Sequence, residues 1–116
     1  MSEFTIYHNP RCSKSRQTLQ LLQDNGIEPE IVLYLDNTPN AAQLDALLGK
    51  LGITARELLR KGEDDYKLLN LGDTSHSDAD IVAAMVSHPK LIERPIVVSG
   101  DRAVLGRPPE NVLGLL

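Results

Sequence analysis

The chain has 116 residues, a formal net charge of −4 at pH 7 and a pI of about 5.3. This length suits one domain with a single core that needs no disulfide or metal staples. It has 12 Lys and Arg residues and 16 Asp and Glu residues, and the basic residues form no run. We therefore expect no nucleic-acid partner.

The N-terminal segment and the apolar runs indicate a soluble, cytoplasmic protein. The polar stretch His8-Asn9-Pro10 leaves no room for a signal peptide, and no apolar run approaches the about 20 residues of a membrane span. The chain has one cysteine, Cys12, which cannot form an internal disulfide. We therefore expect no membrane partner and a reducing environment.

The first third of the chain predicts a βαβ unit. A β-prone run over residues 4–7 is followed by a helical pattern over residues 13–25 that stops at Gly26. The mostly apolar run over residues 30–35 predicts a second strand, buried and parallel to the first. Cys12 falls in the turn between the first strand and the helix.

The middle third predicts helices. Capping patterns and leucine spacing predict four of them: one capped by Thr38 and ending at Gly52, one begun by the capping box Thr54-Ala55-Arg56-Glu57, a short one over residues 64–69, and one begun at Ser77 and ended by His88-Pro89.

The last third predicts a hairpin and a short helix. Residues 95–99 and 103–105 form the strands, Gly100-Asp101 the turn, and residues 109–115 the helix. The predicted fold class is therefore α/β, with a four-stranded mixed sheet built as βαβ and then ββα. We expect one domain over residues 1–116, with a helical insertion at about residues 39–89 between its halves.

Cys12 lies in the stretch HNPRCSKSR, beside the cations Arg11, Lys14 and Arg16. An isolated cysteine is most often a small buried hydrophobe, but unpaired cations are costly to bury beside one. The predicted helix start offers free N–H groups and a positive dipole end, which together with the cations lower a thiol pKa. The sequence therefore predicts a nucleophilic thiolate.

The spacing around Cys12 excludes two kinds of thiol chemistry. A phosphatase loop needs Cys-x5-Arg, but that position is Thr18, and a dithiol oxidoreductase needs Cys-x-x-Cys, but that position is Ser15. A one-thiol cycle resolved by an external thiol remains, with glutathione as the cytosolic candidate. We expect no metal site, because Cys12 and His8 fall short of four ligands.

Three arginines stand at the ends of predicted elements, namely Arg60, Arg94 and Arg107. A single arginine of this kind is most often a solvated surface residue. Prolines follow two of them, and guanidinium forks suit tetrahedral oxyanions, so their convergence on one site is a hypothesis. His8, at the end of the first strand, is a candidate to orient the thiol, and a structural role for it is equally open.

These residues resemble a known family. HNPRCSKSR is similar to the His-Asn-Pro-x-Cys-x-x-Ser-Arg segment of the glutaredoxin-coupled arsenate reductases, the ArsC family. LLRKGED, ERPIVV and GRPPENVL resemble its three later arginine-bearing segments in the same order. The resemblance covers essentially the whole chain and implies a thioredoxin-like fold with a helical insertion, and a role in arsenic detoxification.

The resemblance also implies roles for residues and partners. The Cys12 thiolate attacks arsenate, glutathione as an external co-substrate resolves the adduct, and glutaredoxin removes the mixed disulfide, with no bound cofactor. The oxyanion is held by Arg60, Arg94 and Arg107, and the thiolate is supported by His8, Ser15 and Arg16. The resemblance further implies a cis peptide bond between Arg94 and Pro95.

The loop departs from the family where it carries Arg11, Ser13 and Lys14, because well-studied members have small neutral residues there. The extra positive charge suits either a tighter oxyanion site or an acidic partner such as glutathione. Two alternatives stay open: a glutathione-dependent oxidoreductase with another substrate, and a non-enzymatic regulator of the Spx type that binds RNA polymerase.

Overall fold

The structure is a computed structural model that describes residues 3–116, and it contains the expected four-stranded mixed sheet. The strands are β1 (Phe4–His8), β2 (Glu30–Leu33), β3 (Ile96–Ser99) and β4 (Arg102–Leu105). Their order is β2-β1-β3-β4, with β1 parallel to β2 and the other two pairs antiparallel. The helices are α1 (Ser13–Asp24), α2 (Ala41–Leu51), α3 (Ala55–Leu58), α4 (Asp64–Leu68) and α5 (Asp78–Ser87), with 3-10 helices at Pro89–Leu91 and Pro109–Leu115.

The chain divides into two compact units. The first unit holds the sheet, α1 and the C-terminal 3-10 helix, because it combines the residues up to Asn37 with Arg94–Leu116. The second unit, Thr38–Glu93, holds α2 to α5 and covers the stretch in which we predicted the helical insertion. The assignment of the chain to one domain stays a prediction.

The core of the first unit is aliphatic. Side chains from the two central strands, α1 and the C-terminal 3-10 helix are buried together: Ile6, Val97, Leu22, Val112 and Leu115. Burial of an aliphatic side chain of this size stabilises the fold by about 1.5–3 kcal/mol relative to leaving it in water. This packing fixes α1, and with it the segment that carries Cys12, against the end of β1.

The predicted burial of the second strand was wrong. β2 is parallel to β1 as expected, but it is an edge strand of the sheet. It pairs with β1 on one side, and no strand of the sheet pairs with it on the other. Ile31 and Leu33 remain 46% and 37% exposed, whereas Tyr34, just after the strand, is fully buried. An apolar run of strand length cannot by itself distinguish an edge strand from a central one.

In the second unit, the helices α2, α3 and α5 begin at capping boxes, and one of the three caps differs from the prediction. Thr54 and Ser77 form the predicted capping boxes with Glu57 and Asp80. The cap of α2 is Asn40 rather than Thr38, because the Asn40 side chain accepts the N–H of Gln43 at 2.8 Å. α2 ends at Gly52, whose φ of 70° is in the left-handed region that glycine adopts without strain.

The C-terminal hairpin forms as predicted. Gly100, with φ of 60°, and Asp101 connect β3 to β4, and the register pairs Ser99 with Arg102. The final helical segment is present as a 3-10 helix, Pro109–Leu115. In the part of the chain that the structure describes, no helix has the length and apolar character to cross a membrane.

Candidate active site

Cys12 is the N-cap residue of α1 and connects that helix to the loop after β1. Its backbone N–H donates to the carbonyl oxygen of Asn9 at 3.0 Å, and its own carbonyl accepts the N–H of Arg16 at 3.0 Å. The side chain is half-buried and its thiol is free of any disulfide. The sulfur therefore lies at a helix start, where backbone N–H groups point toward an anion.

The pKa of the Cys12 thiol lies below its ordinary value. Burial of the thiol raises the pKa, but this effect is outweighed by hydrogen bonds and charge. The backbone N–H of Ser15, the Arg94 guanidinium, through both a hydrogen bond and its charge, and the backbone N–H of Lys14 all favour the thiolate. These contacts make the sulfur a better nucleophile at neutral pH than a free cysteine.

The charge that lowers this pKa differs from the one we expected. The sequence indicated the neighbouring cations Arg11, Lys14 and Arg16, but all three side chains are exposed. The cation that bonds the thiol is Arg94, which lies far away in the sequence, and Lys14 contributes its backbone N–H rather than its ammonium. The predicted effect of the helix start is present in the N–H groups of Lys14 and Ser15.

His8 and Ser15 form a buried pair beneath the loop. His8 Nδ1 lies 2.7 Å from Ser15 Oγ, which also accepts the backbone N–H of Asn9 at 3.0 Å. Both side chains are buried, at 6% exposed for His8 and 0% for Ser15. Burial, and then the charge of Arg16, lower the pKa of His8, so its neutral form is favoured. His8 thus contacts the residue that donates to the thiol.

Arg16 holds the shape of the loop before Cys12. Its Nη1 donates to the carbonyl oxygen of Pro10 at 2.8 Å. The backbone N–H of Arg11 donates to Asn9 Oδ1 at 3.0 Å, which fixes the turn at the start of the same loop. A guanidinium bound to a loop carbonyl positions the backbone around the sulfur.

Arg94 and Arg107 come together in the first unit. Arg107 Nη1 lies 3.3 Å from the carbonyl oxygen of Arg94 and donates to it. The Arg94–Pro95 peptide bond is cis, which confirms the expectation from the resemblance, and Arg107–Pro108 is also cis. Arg94 therefore contacts the thiol with its side chain, and Arg107 contacts the backbone of Arg94.

Thr18 and Gly106 are positioning residues that the sequence analysis missed. Thr18 is fully buried. Its hydroxyl group lies within hydrogen-bond distance of two carbonyl oxygens, that of Lys14 at 2.8 Å and that of Gly106 at 3.3 Å, and donates to them. The N–H of Gly106 donates to the carbonyl oxygen of Pro95 at 2.9 Å. The sequence signals were a threonine at helical spacing from Ser15 and Leu22, with which it shares the buried face of α1, and a glycine just before Arg107-Pro108; neither is specific alone.

Arg60 belongs to the second unit. Its Nε lies 3.5 Å from Glu63 Oε1 and its Nη1 lies 3.4 Å from Glu93 Oε1. Its backbone N–H donates to the carbonyl oxygen of Leu91 at 2.7 Å. Two carboxylates therefore orient the Arg60 guanidinium, and the oxyanion role that the resemblance implies for it stays a prediction.

No metal cluster exists within residues 3–116, since no three His, Cys, Asp or Glu side chains come together there as ligands would. The site combines one activated thiol, the Arg94 guanidinium that contacts it and a set of backbone N–H groups, and Arg107 lies against the backbone of Arg94. Such a set suits nucleophilic attack on a centre that carries negatively charged oxygens.

Comparison with known proteins identifies close relatives over nearly the whole chain. The model of the ArsC family matches residues 7–115. The uncharacterized protein YfgD of Escherichia coli (strain K12) is 59% identical over 96% of this chain and 94% of its own length. A protein of Haemophilus influenzae named arsenate reductase is 49% identical over 96% of this chain and 97% of its own.

The fold is shared with solved structures. The structure named arsenate reductase from Vibrio cholerae superposes with a TM-score of 0.95 at 52% sequence identity, covering 97% of each chain. The strand order, the helix that starts at Cys12 and the C-terminal hairpin are those of a thioredoxin-like α/β fold.

Proposed function

This chain belongs to the ArsC family, and from that premise we propose that it is an arsenate reductase with Cys12 as its nucleophile. The observation that carries the proposal is the environment of the Cys12 thiol at the start of α1. Burial raises the pKa of this thiol, but the backbone N–H of Ser15 and the Arg94 guanidinium together hold it below its ordinary value. The names of relatives at 44–49% identity give the substrate class.

The first step is substitution at arsenic. The Cys12 thiolate attacks the arsenic atom of arsenate, so that an S–As bond forms while one As–O bond breaks. The departing oxygen takes up protons and leaves as water, and arsenic stays pentavalent. Arg94 and Arg107 hold the remaining oxygens, because guanidinium groups donate two parallel hydrogen bonds to an oxyanion. Backbone N–H groups at the helix start favour the same negative charge.

The second step is the reduction, and it requires an external thiol because the chain has one cysteine. A glutathione thiolate attacks Cys12 Sγ, so that an S–S bond forms and the S–As bond breaks. The electron pair of the S–As bond stays on arsenic, which leaves as trivalent arsenite. The two electrons come from the two sulfurs, which end as a mixed disulfide.

The third step restores the enzyme. A glutaredoxin thiolate attacks the glutathione sulfur of the mixed disulfide, and Cys12 leaves as a thiolate. The lowered pKa of Cys12 favours this step too, since a thiol of lower pKa is a better leaving group. Support for the cycle lies in the free Cys12 thiol and in Ser15, which occupies the place of a second cysteine.

The proposal is tested by measuring arsenite formation from arsenate with and without glutathione and glutaredoxin. We expect turnover that requires both donors in the wild-type chain and no turnover in Cys12→Ser. Full activity in Cys12→Ser contradicts the proposal. A wild-type chain that removes glutathione from glutathionylated protein but does not reduce arsenate supports the alternative oxidoreductase instead.

The predicted role of Arg60 is tested in the same assay. Loss of one oxyanion donor costs about 10²–10³ in kcat when that donor acts in the transition state. We therefore expect Arg60→Ala to lose activity on that scale while its thermal unfolding midpoint stays near that of the wild type. A variant of unchanged activity removes Arg60 from the proposed set of oxyanion ligands.

A further inference from the structure

A concave feature lies beside the Cys12 loop. It is a cavity of about 360 Å³ formed by the loop after β1 and by the end of β2 with the turn that follows. This volume falls within the about 300–1,000 Å³ of small-molecule sites, and the carboxyl ends of parallel strands are where α/β proteins bind ligands. Its lining residues are His8, Asn9, Pro10, Arg11, Leu33, Leu35 and Asp36.

The cavity combines two opposite charges with an apolar wall. Arg11 and Asp36 are both exposed and line the same cavity from different loops. Leu33 and Leu35 remain 37% and 36% exposed, although aliphatic side chains of this size are usually buried. A fitting ligand therefore carries at least one carboxylate and one ammonium group on a short aliphatic frame.

The charge of Arg11 has no role in the thiol chemistry described above. The cation that lowers the Cys12 pKa is Arg94, whereas Arg11 lines the cavity. The backbone of Arg11 is fixed by the bond of its N–H to Asn9 Oδ1, at 3.0 Å. Asp36 is fixed in the same way, since its N–H donates to the carbonyl oxygen of Leu33 at 2.9 Å. The backbone of each charged residue is therefore held by a hydrogen bond.

We propose that this cavity is the binding site for glutathione, with Arg11 and Asp36 as its charge-recognising residues. Glutathione carries two carboxylates and one ammonium group on short methylene chains, which matches the cation, the anion and the apolar wall. Arg11 binds a carboxylate of glutathione, Asp36 binds its ammonium group, and Leu33 and Leu35 contact the methylene chains. Arg11 immediately precedes Cys12, so a tripeptide held there is next to the nucleophile's loop.

The inference rests on the proposed function, in which a glutathione thiolate attacks Cys12, but its test is separate. S-methylglutathione keeps all three charges and cannot react. Titrated into the wild-type chain and followed by amide NMR, it is expected to shift the signals of residues 8, 9, 11 and 33–36. We expect Arg11→Glu and Asp36→Lys each to weaken the binding of S-methylglutathione, with a Kd raised about tenfold or more. Lys50→Glu, the same change of charge on α2, is the control and leaves the Kd within twofold of the wild type.

Steady-state kinetics add a second readout. In Arg11→Glu we expect a raised KM for glutathione and an unchanged KM for arsenate. Shifts confined to other residues, or a Kd within twofold of the wild type in both cavity variants, overturn the inference even if arsenate is reduced. Binding at the cavity in a chain that reduces no arsenate supports the cavity assignment and contradicts the proposed function. An effect of Arg11→Glu on glutaredoxin turnover alone, with unchanged Kd, also overturns it.

Discussion

Thr18 and Gly106 are in contact across the first unit, with Thr18 Oγ1 3.3 Å from the carbonyl oxygen of Gly106. A Cβ added to Gly106 would lie 2.5 Å from that Oγ1 and 2.8 Å from Pro95 Cγ. Because Thr18 is on α1 and Pro95 follows Arg94, this close approach joins the helix of the nucleophile to the arginine that bonds it. The position of the Arg94 guanidinium relative to the Cys12 sulfur therefore depends on the absence of a side chain at residue 106.

The first prediction concerns this contact. We expect Gly106→Ala to lower the free energy of unfolding by about 1–3 kcal/mol, because the added methyl group overpacks a buried junction. Urea denaturation measures the change. The control is Gly49→Ala in α2, where a Cβ meets no atom within 4 Å and alanine favours the helix by about 0.5–1 kcal/mol. Equal effects of the two substitutions would contradict the assignment.

Local signals predicted the elements well, and tertiary relationships were predicted poorly. Capping boxes at Thr54 and Ser77 and the Gly100-Asp101 turn depend on neighbours within four residues, so the sequence alone was sufficient. The edge position of β2 depends on which strand pairs with which, and an apolar run carries no such information. The cap at Asn40 was missed because Thr38, followed by Pro39, also has the composition of a helix start.

The candidate site follows the same division. The position of Cys12 at a helix start was predictable, because the strand, turn and helix signals are adjacent in the chain. The source of the charge was not, since Arg94 reaches the thiol only through the pairing of β1 with β3. Counting nearby cations favoured Arg11 and Lys14, whose side chains are exposed.

A second prediction concerns the buried pair of His8 and Ser15. Ser15→Ala removes the oxygen that both His8 Nδ1 and the Asn9 N–H contact. Because buried polar groups then lack a partner, we expect a loss of about 1–3 kcal/mol in the free energy of unfolding, measured in urea. Ser13→Ala is the control, since Ser13 is exposed in the first turn of the same helix. A loss in the control as large as in Ser15→Ala would argue for a general effect on the helix start.

A third prediction follows from the lowered pKa of His8, which has burial as its main cause and the charge of Arg16 as the second. The unfolded chain protonates this group near pH 6.5, whereas the folded chain does so only at lower pH. Its contribution to stability is therefore complete above about pH 6.5 and is lost as the pH falls from there toward the folded pKa. Urea unfolding at several pH values between 5 and 8 should show a smaller decrease for His8→Gln than for wild type. Parallel curves for the two proteins would contradict it.

The fourth prediction concerns Arg94, whose hydrogen bond and charge favour the Cys12 thiolate against the opposing effect of burial. Arg94→Gln removes the cation's contribution and keeps the backbone N–H groups of Ser15 and Lys14, so it should shift the midpoint of iodoacetamide alkylation to higher pH than in wild type. We expect the wild-type midpoint to lie at lower pH than that of an unperturbed cysteine. Lys14→Gln is the matched control, because it removes a neighbouring exposed charge but keeps the backbone N–H that the thiolate uses. A larger shift in Lys14→Gln than in Arg94→Gln would identify the neighbouring cations as the main cause of the lowered thiol pKa. The bond between Arg94 and the sulfur would then have no measurable chemical consequence.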